Sequence, residues 1–377
     1  MKYRLAFLLV AAGALTGCGE EQPAELVNVT ASADPADVPP PEAASEFPQL
    51  ERGEAFDGVI VTYDFRILPV KYERIGDYAV IGGDMIIGEH EEMQRRWAVY
   101  TGLATGNLDI VPAPERRAIV MLADQTGREN SPLVTGPFAD QGDGAGTVFT
   151  GPMAPQLVRV LGWVTLDPLW PSRVIAYDVA PPIRSRPSDP RNANIQKAVD
   201  LWNALKVVQL RPAANASPAE RQRGVLLFVD HMADDDLFAC MSPVGFRPAN
   251  GVQKVHINPK CQAGNIAHEI GHALGLLHEH QRTNRGEFLQ VDTSVPMDTR
   301  NYAPVPGRPV GGHNLCSIMH YAANATNPDP DWFKLTAKGD AAYRSCSTAM
   351  LAQCRKVGQR CQLSPGDVGA IRSLYPQ

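Results

Sequence analysis

The stretch from His268 to His278 runs H-E-x-x-H-x-x-G-x-x-H, and it limits the fold more than any other part of the chain. Two imidazoles four residues apart share a face on a helix, where they lie one turn from each other. There His268 and His272 can hold one ion at roughly 2 Å bond lengths. His278 cannot join them if the helix continues, since it would lie about 9 Å further along the axis and rotated off the shared face. A third ligand requires the helix to stop and the chain to turn back. Gly275 is where that can happen, because glycine accepts the left-handed conformation that ends helices. Three protein ligands leave one coordination position open, which marks a catalytic rather than a structural zinc. Glu269 sits beside the first ligand, placed to reach water at that open position rather than the metal. A histidine-rich amphipathic helix matching by chance would have to meet five fixed positions and the hinge together.

The rest of the chain sets the context. Its 377 residues suffice for two domains plus tails, and a net charge of -6 with mixed signs argues against a nucleic-acid surface. Met1-Lys2-Tyr3-Arg4 is a basic opening, followed from Leu5 to Leu15 by an apolar run too short to span a bilayer permanently. Leu15-Thr16-Gly17-Cys18 resembles a bacterial lipobox, which predicts cleavage before Cys18 and lipidation of that cysteine. Gly19 after it, rather than Asp, resembles lipoproteins sent to an outer membrane. The alternative is a plain secretory signal with an incidental cysteine, and both place the protein outside the cytoplasm. Residues 19–50 are rich in Pro, Ala, Glu and Asp, which predicts a disordered tether. Residues 51–166 read as a β-rich region, with strands expected at Val59–Tyr63 and Ala118–Leu122 and either a helix or a charged connector at Glu89–Tyr100. Ile195 to Leu205 predicts a helix with Ile195, Ala198, Val199, Trp202 and Leu205 on one face, and Gly224 to Val229 a buried strand.

From Asp167 onward a family resemblance accumulates. Leu169-Trp170-Pro171-Ser172-Arg173-Val174-Ile175-Ala176-Tyr177, the segment Cys240-Met241-Ser242-Pro243-Val244-Gly245, Glu279 directly after the third histidine, Ser317-Ile318-Met319-His320-Tyr321 and the closing helix from Leu363 resemble the catalytic domain of the astacin metallopeptidases, over roughly Trp170 to Tyr375. The resemblance implies an α+β fold. Its catalytic domain, residues 167–377, would be metzincin-like with two subdomains, a twisted mixed sheet plus the zinc-site helix and an irregular C-terminal part. It implies one Zn2+ per chain on His268, His272 and His278, Glu269 as general base, and Tyr321 as a further ligand that swings away to bind the oxyanion. Met319 is expected beneath the zinc ligands. Substrate is expected to pair with an exposed-edge strand at Val255–Asn258, and the pocket walls to come from Ala322 to Lys334.

The resemblance also implies a disulfide between Cys240 and Cys261. Setting Cys18 aside from seven cysteines leaves six, and the other four, Cys316, Cys346, Cys354 and Cys361, are expected to staple the C-terminal region locally in unread pairs. Ile81-Gly82-Gly83-Asp84-Met85 resembles the F-x-G-D-I segment of astacin propeptides, whose aspartate binds the zinc and silences the zymogen. A plain Gly-Gly-Asp turn between strands is the alternative. Glu279 implies a seat for the mature N-terminus, although Gly286 stands where the family has Asp. His280 reads as a surface histidine, and His320 as a structural hydrogen-bonder. The expected protein is a monomeric zinc endopeptidase acting on protein or peptide substrates, touching a membrane only through the lipid at Cys18. The competing expectation is a non-catalytic binding lipoprotein on the same scaffold.

Overall fold

The computed structural model describes residues 54–62, 64–126, 156–157, 161, 168–230, 240–292, 299–322 and 333–376. All of them lie within one compact unit, Val38–Gln377. Among the described residues, nine strands form one sheet, and its N-terminal and C-terminal halves come from different parts of the chain.

The first half is an antiparallel meander of β1 (Ala55–Val61), β2 (Ile67–Ile75), β3 (Tyr78–Ile81) and β4 (Met85–Glu89). Helix α1 (His90–Thr105) leaves β4 directly and ends at Gly106. The stretch that sequence left between helix and connector is therefore a helix. It buries Met93, Val99, Tyr100 and Leu103 at helical spacing, and Val99, Tyr100 and Leu103 pack with Val59 and Val61 of β1. The expected strand at Ala118–Leu122 is not one: those residues lie inside α2 (Ala113–Thr126). A run of five apolar residues is too short to carry a period, and Pro114 with Glu115 just upstream is a helix-start signal that decides the state.

The second half contains β5 (Val174–Val179), β6 (Gln209–Pro212), β7 (Val225–Asp230), β8 (Cys240–Pro243) and β9 (Val252–Ile257). The sheet order is β1-β2-β3-β4-β8-β9-β7-β5-β6. β6, β5, β7 and β9 run parallel, and β8 runs antiparallel to β9. Parallel strands need helical crossovers, supplied after β5 by α3 (Pro190–Asn203). Asp189 caps α3 through the Arg191 amide, and Pro190 starts it.

Trp202 on α3 is fully buried and its indole donates to the Ala267 carbonyl at 2.9 Å, which ties α3 to α4 (Ala263–Ala273). At about 25 cal/mol per Å2, burying roughly 200 Å2 of indole contributes about 5 kcal/mol before ordering costs. The C-terminal part is mostly irregular: a ribbon of β10 (Leu289–Val291) and β11 (Phe333–Leu335), then α5 (Ala337–Ser347) and α6 (Pro365–Leu374). Cys316 pairs with Cys346 and Cys354 with Cys361, both within this part, while Cys240 pairs with Cys261.

One expectation about the sheet is corrected. Val255–Ile257 is not an edge: β9 has β7 on one side and β8 on the other. Beyond β9 on that side lies β8, and it is covered by β4 in parallel register, Met85 opposite Ser242 and Ile86 opposite Pro243. Alternation in the stretch up to Asn258 reported a strand, but alternation says nothing about how many neighbours a strand has.

Candidate metal centre

The last turn of α4 places the first two imidazoles, and its ending places the third. Leu276 N donates to Gly271 O at 2.9 Å and Gly275 N to His272 O at 2.8 Å, the paired bonds of a Schellman ending, with Gly275 at φ 101. The chain then returns through Leu277 to His278, and a short 3-10 turn follows at Glu279–Gln281. The three Nε2 atoms form a nearly equilateral triangle with sides of 3.1, 3.1 and 3.2 Å. An ion about 2 Å from each nitrogen would sit just off the plane of that triangle.

The other nitrogen of each ring is held. His268 Nδ1 donates to Ile318 O at 2.8 Å, His272 Nδ1 to Leu276 O at 2.7 Å and His278 Nδ1 to Gln281 Oε1 at 2.9 Å. With the proton kept on Nδ1, each Nε2 offers a lone pair to the shared point. Burial pushes His268 well below the usual histidine range, helped by Arg360, and burial also lowers His278. Both shifts favour the neutral form, the one that binds a metal.

The fourth group comes from the meander. Gly82-Gly83-Asp84 is the turn between β3 and β4, and its tip enters the cleft. Asp84 Oδ1 lies 3.0 Å from His278 Nε2 and 3.6 Å from His272 Nε2, and Oδ2 lies 3.3 Å from His268 Nε2. Burial by itself would raise the Asp84 carboxyl. The three imidazoles around it, His278 foremost, outweigh burial and hold the group well below the usual carboxylate range. Asp84, His268, His272 and His278 are together able to hold one metal ion, and three neutral imidazoles with one carboxylate suit zinc. The Gly-Gly-Asp stretch is thus a turn between strands that brings a carboxylate to the three imidazoles.

The sequence pattern described as Astacin (Peptidase family M12A) matches residues 164–376, more than half of the chain. The chain belongs to the astacin family. Among astacin relatives, blastula protease 10 of Paracentrotus lividus is 27% identical over 213 residues, covering 55% of this chain and 32% of that protein. Tolloid-like protein 2 of Homo sapiens is 25% identical over 362 residues, covering 89% of this chain and 31% of that protein. The chain thus spans about a third of the length of these curated relatives. A solved structure, high choriolytic enzyme 1, a hatching enzyme zinc-protease from Oryzias latipes, resembles it at TM-score 0.41 and 21% identity, over 54% of this chain and 88% of that one.

The remaining astacin motif residues surround this centre. Glu269 is 2% exposed, one residue after the first ligand. Met319 packs under α4: a Cβ on Gly271 would stand 2.5 Å from its sulfur, so the helix needs glycine between the two ligands' turns. Tyr321 lies with its hydroxyl 2.9 Å from Asp84 Oδ2 and also in hydrogen-bond reach of Gly82 O. Burial, then Asp84, pushes that phenol well above its usual range, so it remains a donor. Asp367 at the start of α6 accepts from Ile318 N at 3.1 Å, Ser364 N at 2.8 Å and both the Ser317 and Ser364 hydroxyls, which pins the turn carrying Met319. Glu279 is engaged by Arg282 at 3.1 Å and by Asn314 N at 2.7 Å.

His280 is not a surface histidine. It is fully buried, its Nε2 donates to Asn301 O at 3.0 Å, its Nδ1 accepts from Tyr321 N at 3.3 Å, and its ring stacks on Tyr321 at 4.3 Å. It sits in the short 3-10 turn after His278, with Tyr302 and Tyr321 packed against its ring. Gln281 was missed altogether. The signal was present: residues i and i+3 eclipse in a 3-10 turn, so a polar side chain three after His278 falls back onto it. Cys18, the tether and residues 323–332 of the expected pocket wall lie outside the described residues.

Proposed function

We propose that this chain is an exported zinc-dependent endopeptidase kept latent by its own N-terminal region. The observation that carries the proposal is the Asp84 carboxylate, 3.0–3.6 Å from all three ligand imidazoles and within 2.9 Å of the Tyr321 hydroxyl. A carboxylate there takes the position that water must occupy for hydrolysis. β4 adds a second block. Ser242 N of β8 donates to Asp84 O at 3.0 Å and Val244 N to Ile86 O at 3.3 Å, so the backbone groups that would receive an extended substrate are already used. The proposed organisation is a signal at 1–18, a tether at 19–50, an inhibitory region at 51–166 and the catalytic domain at 167–377.

Once the hairpin leaves, His268, His272 and His278 would hold zinc, which would supply Lewis acidity and acidify the proton of a water at the open position. Glu269 takes that proton on its carboxylate and passes it to the leaving nitrogen. Tyr321, released from Asp84, donates its hydroxyl hydrogen to the carbonyl oxygen as negative charge builds there. Ser242 of β8 and Val244 just past its end hold the substrate backbone extended. Substrates are peptide segments of extracytoplasmic proteins. Six of the seven cysteines are paired as disulfides, which supports that compartment. The Leu15–Cys18 motif supports a bacterial lipoprotein tethered by Cys18, in an outer membrane given Gly19, and released when the N-terminal region is cut away.

The test uses the full chain and its Asp84→Ala variant, with hydrolysis of a quenched-fluorescence peptide library as the readout. The variant should cut at least tenfold faster than the parent, and a zinc chelator should abolish both activities. Zinc-loaded parent and variant that are equally inert, before and after proteolytic trimming, would overturn the proposal. Mass spectrometry of envelope material should find mature chains beginning shortly before Trp170.

A further inference from the structure

Three ring nitrogens must keep their protons if three others are to bind the metal, and the chain meets that need unevenly. His268 and His272 donate to main-chain carbonyls, Ile318 O and Leu276 O, which belong to the Met319 turn and the helix ending. His278 donates to a side chain, Gln281 Oε1, at 2.9 Å. Gln281 is 1% exposed. Its main chain is fixed from both ends, with its amide donating to His278 O at 3.2 Å and its carbonyl accepting from Val305 N at 2.8 Å. The amide has one workable orientation. If Nε2 faced the ring, Nδ1 would have to accept and the proton would move to the metal-binding nitrogen. The nitrogen side of the amide meets no acceptor among the described residues. A buried amide with half its capacity unmet is poorly explained as filler, because methionine would fill the same space without a stranded donor.

We infer that Gln281 is a positioning residue for the metal centre: its Oε1 fixes the tautomer and rotation of His278 and thereby sets how tightly the third ligand binds zinc. His278 needs this more than its partners. It lies past the helix ending, on a returning strand of chain, whereas the other two rings project from the rigid α4. An outer hydrogen-bond acceptor on a ligand histidine also raises the basicity of the ligating nitrogen. The inference rests on the metal reading of the three imidazoles and assigns Gln281 no contact with substrate.

The test is metal affinity of the full chain, measured by chelator competition with zinc and by the visible spectrum of the cobalt form. Gln281→Met keeps the volume and removes the acceptor; Gln281→Glu keeps an acceptor. The Met variant should bind zinc about 10–100-fold more weakly, and the Glu variant at least as tightly as the parent. The cobalt bands should shift in Gln281→Glu, since a carboxylate is a stronger acceptor than an amide; this holds whether or not the Met variant folds. Parent-like affinity in the Met variant, equal weakening in both variants, or unshifted cobalt bands in the Glu variant would each overturn the inference. A parent chain that takes up no zinc overturns the peptidase proposal as well, so the two failures are distinct.

Discussion

Gly82→Ala separates the fit of the β3–β4 hairpin from the chemistry of its carboxylate. Gly82 sits at φ 61, and a Cβ there would stand 2.8 Å from His278 Nδ1, 2.8 Å from Gln281 Oε1 and 2.9 Å from the Met85 methyl. The methyl can move. The other two atoms are bonded to each other at 2.9 Å and hold a ligand in place, so they give way at a cost. The left-handed conformation costs an alanine about 1–2 kcal/mol and forced overpacking about 1–3 kcal/mol, together about 2–5 kcal/mol. The left-handed part stays with the turn and only the overpacking depends on seating, so the unseated fraction should rise by roughly 5-fold to 150-fold. The assay is peptide hydrolysis by full-length, uncut protein, with zinc content measured alongside. Gly76→Ala is the control, because Gly76 has φ 58 but nothing within 4 Å of its Cβ position. Hydrolysis should rise in Gly82→Ala alone. Equal, low activity in both variants would refute the claim that hairpin seating controls access.

Three further outcomes are expected. Glu269→Gln should retain zinc and melt like the parent, while hydrolysis by the trimmed enzyme falls at least 100-fold; a milder loss would remove Glu269 from the proton-transfer role. In the trimmed enzyme Tyr321→Phe should lower kcat about 100-fold with KM little changed, and matched losses in both would argue for ground-state binding instead. Asp367→Ala leaves the Ile318 amide and two serine hydroxyls without their acceptor, so it should destabilise by about 2–4 kcal/mol, read as a lowered denaturant midpoint; an unchanged midpoint would mean that the Met319 turn is held by other groups.

What sequence made legible followed from spacing. The positions of His268, His272 and His278 dictated a helix, a stop and a return, and Gly275 with its positive φ is that stop. Asp84 was visible as a ligand candidate because a carboxylate beside two glycines can approach a metal closely. What stayed hidden depended on neighbours distant in the chain. The period of β9 revealed a strand but not that β8 lies outside it, and nothing in Met85–Glu89 announces that β4 pairs with Ser242 and Pro243 more than 150 residues later. The helix at Ala118–Leu122 was lost to a window too short for its period. The burial of His280 stayed hidden because it comes from Tyr302 and Tyr321, distant in the chain, closing over it.

The bond between Cys240 and Cys261 has a consequence for where such an enzyme can work. Among the described residues, β8 holds to β9 through two register pairs, Cys240 with Ile257 and Met241 with His256. With its other neighbour gone, so short a rim would fray, were it not bolted by sulfur to the residue two places before α4 begins. A reducing environment would then leave the metal seated but blur the track along which a peptide is laid, and turnover would fail through loss of grip rather than loss of chemistry.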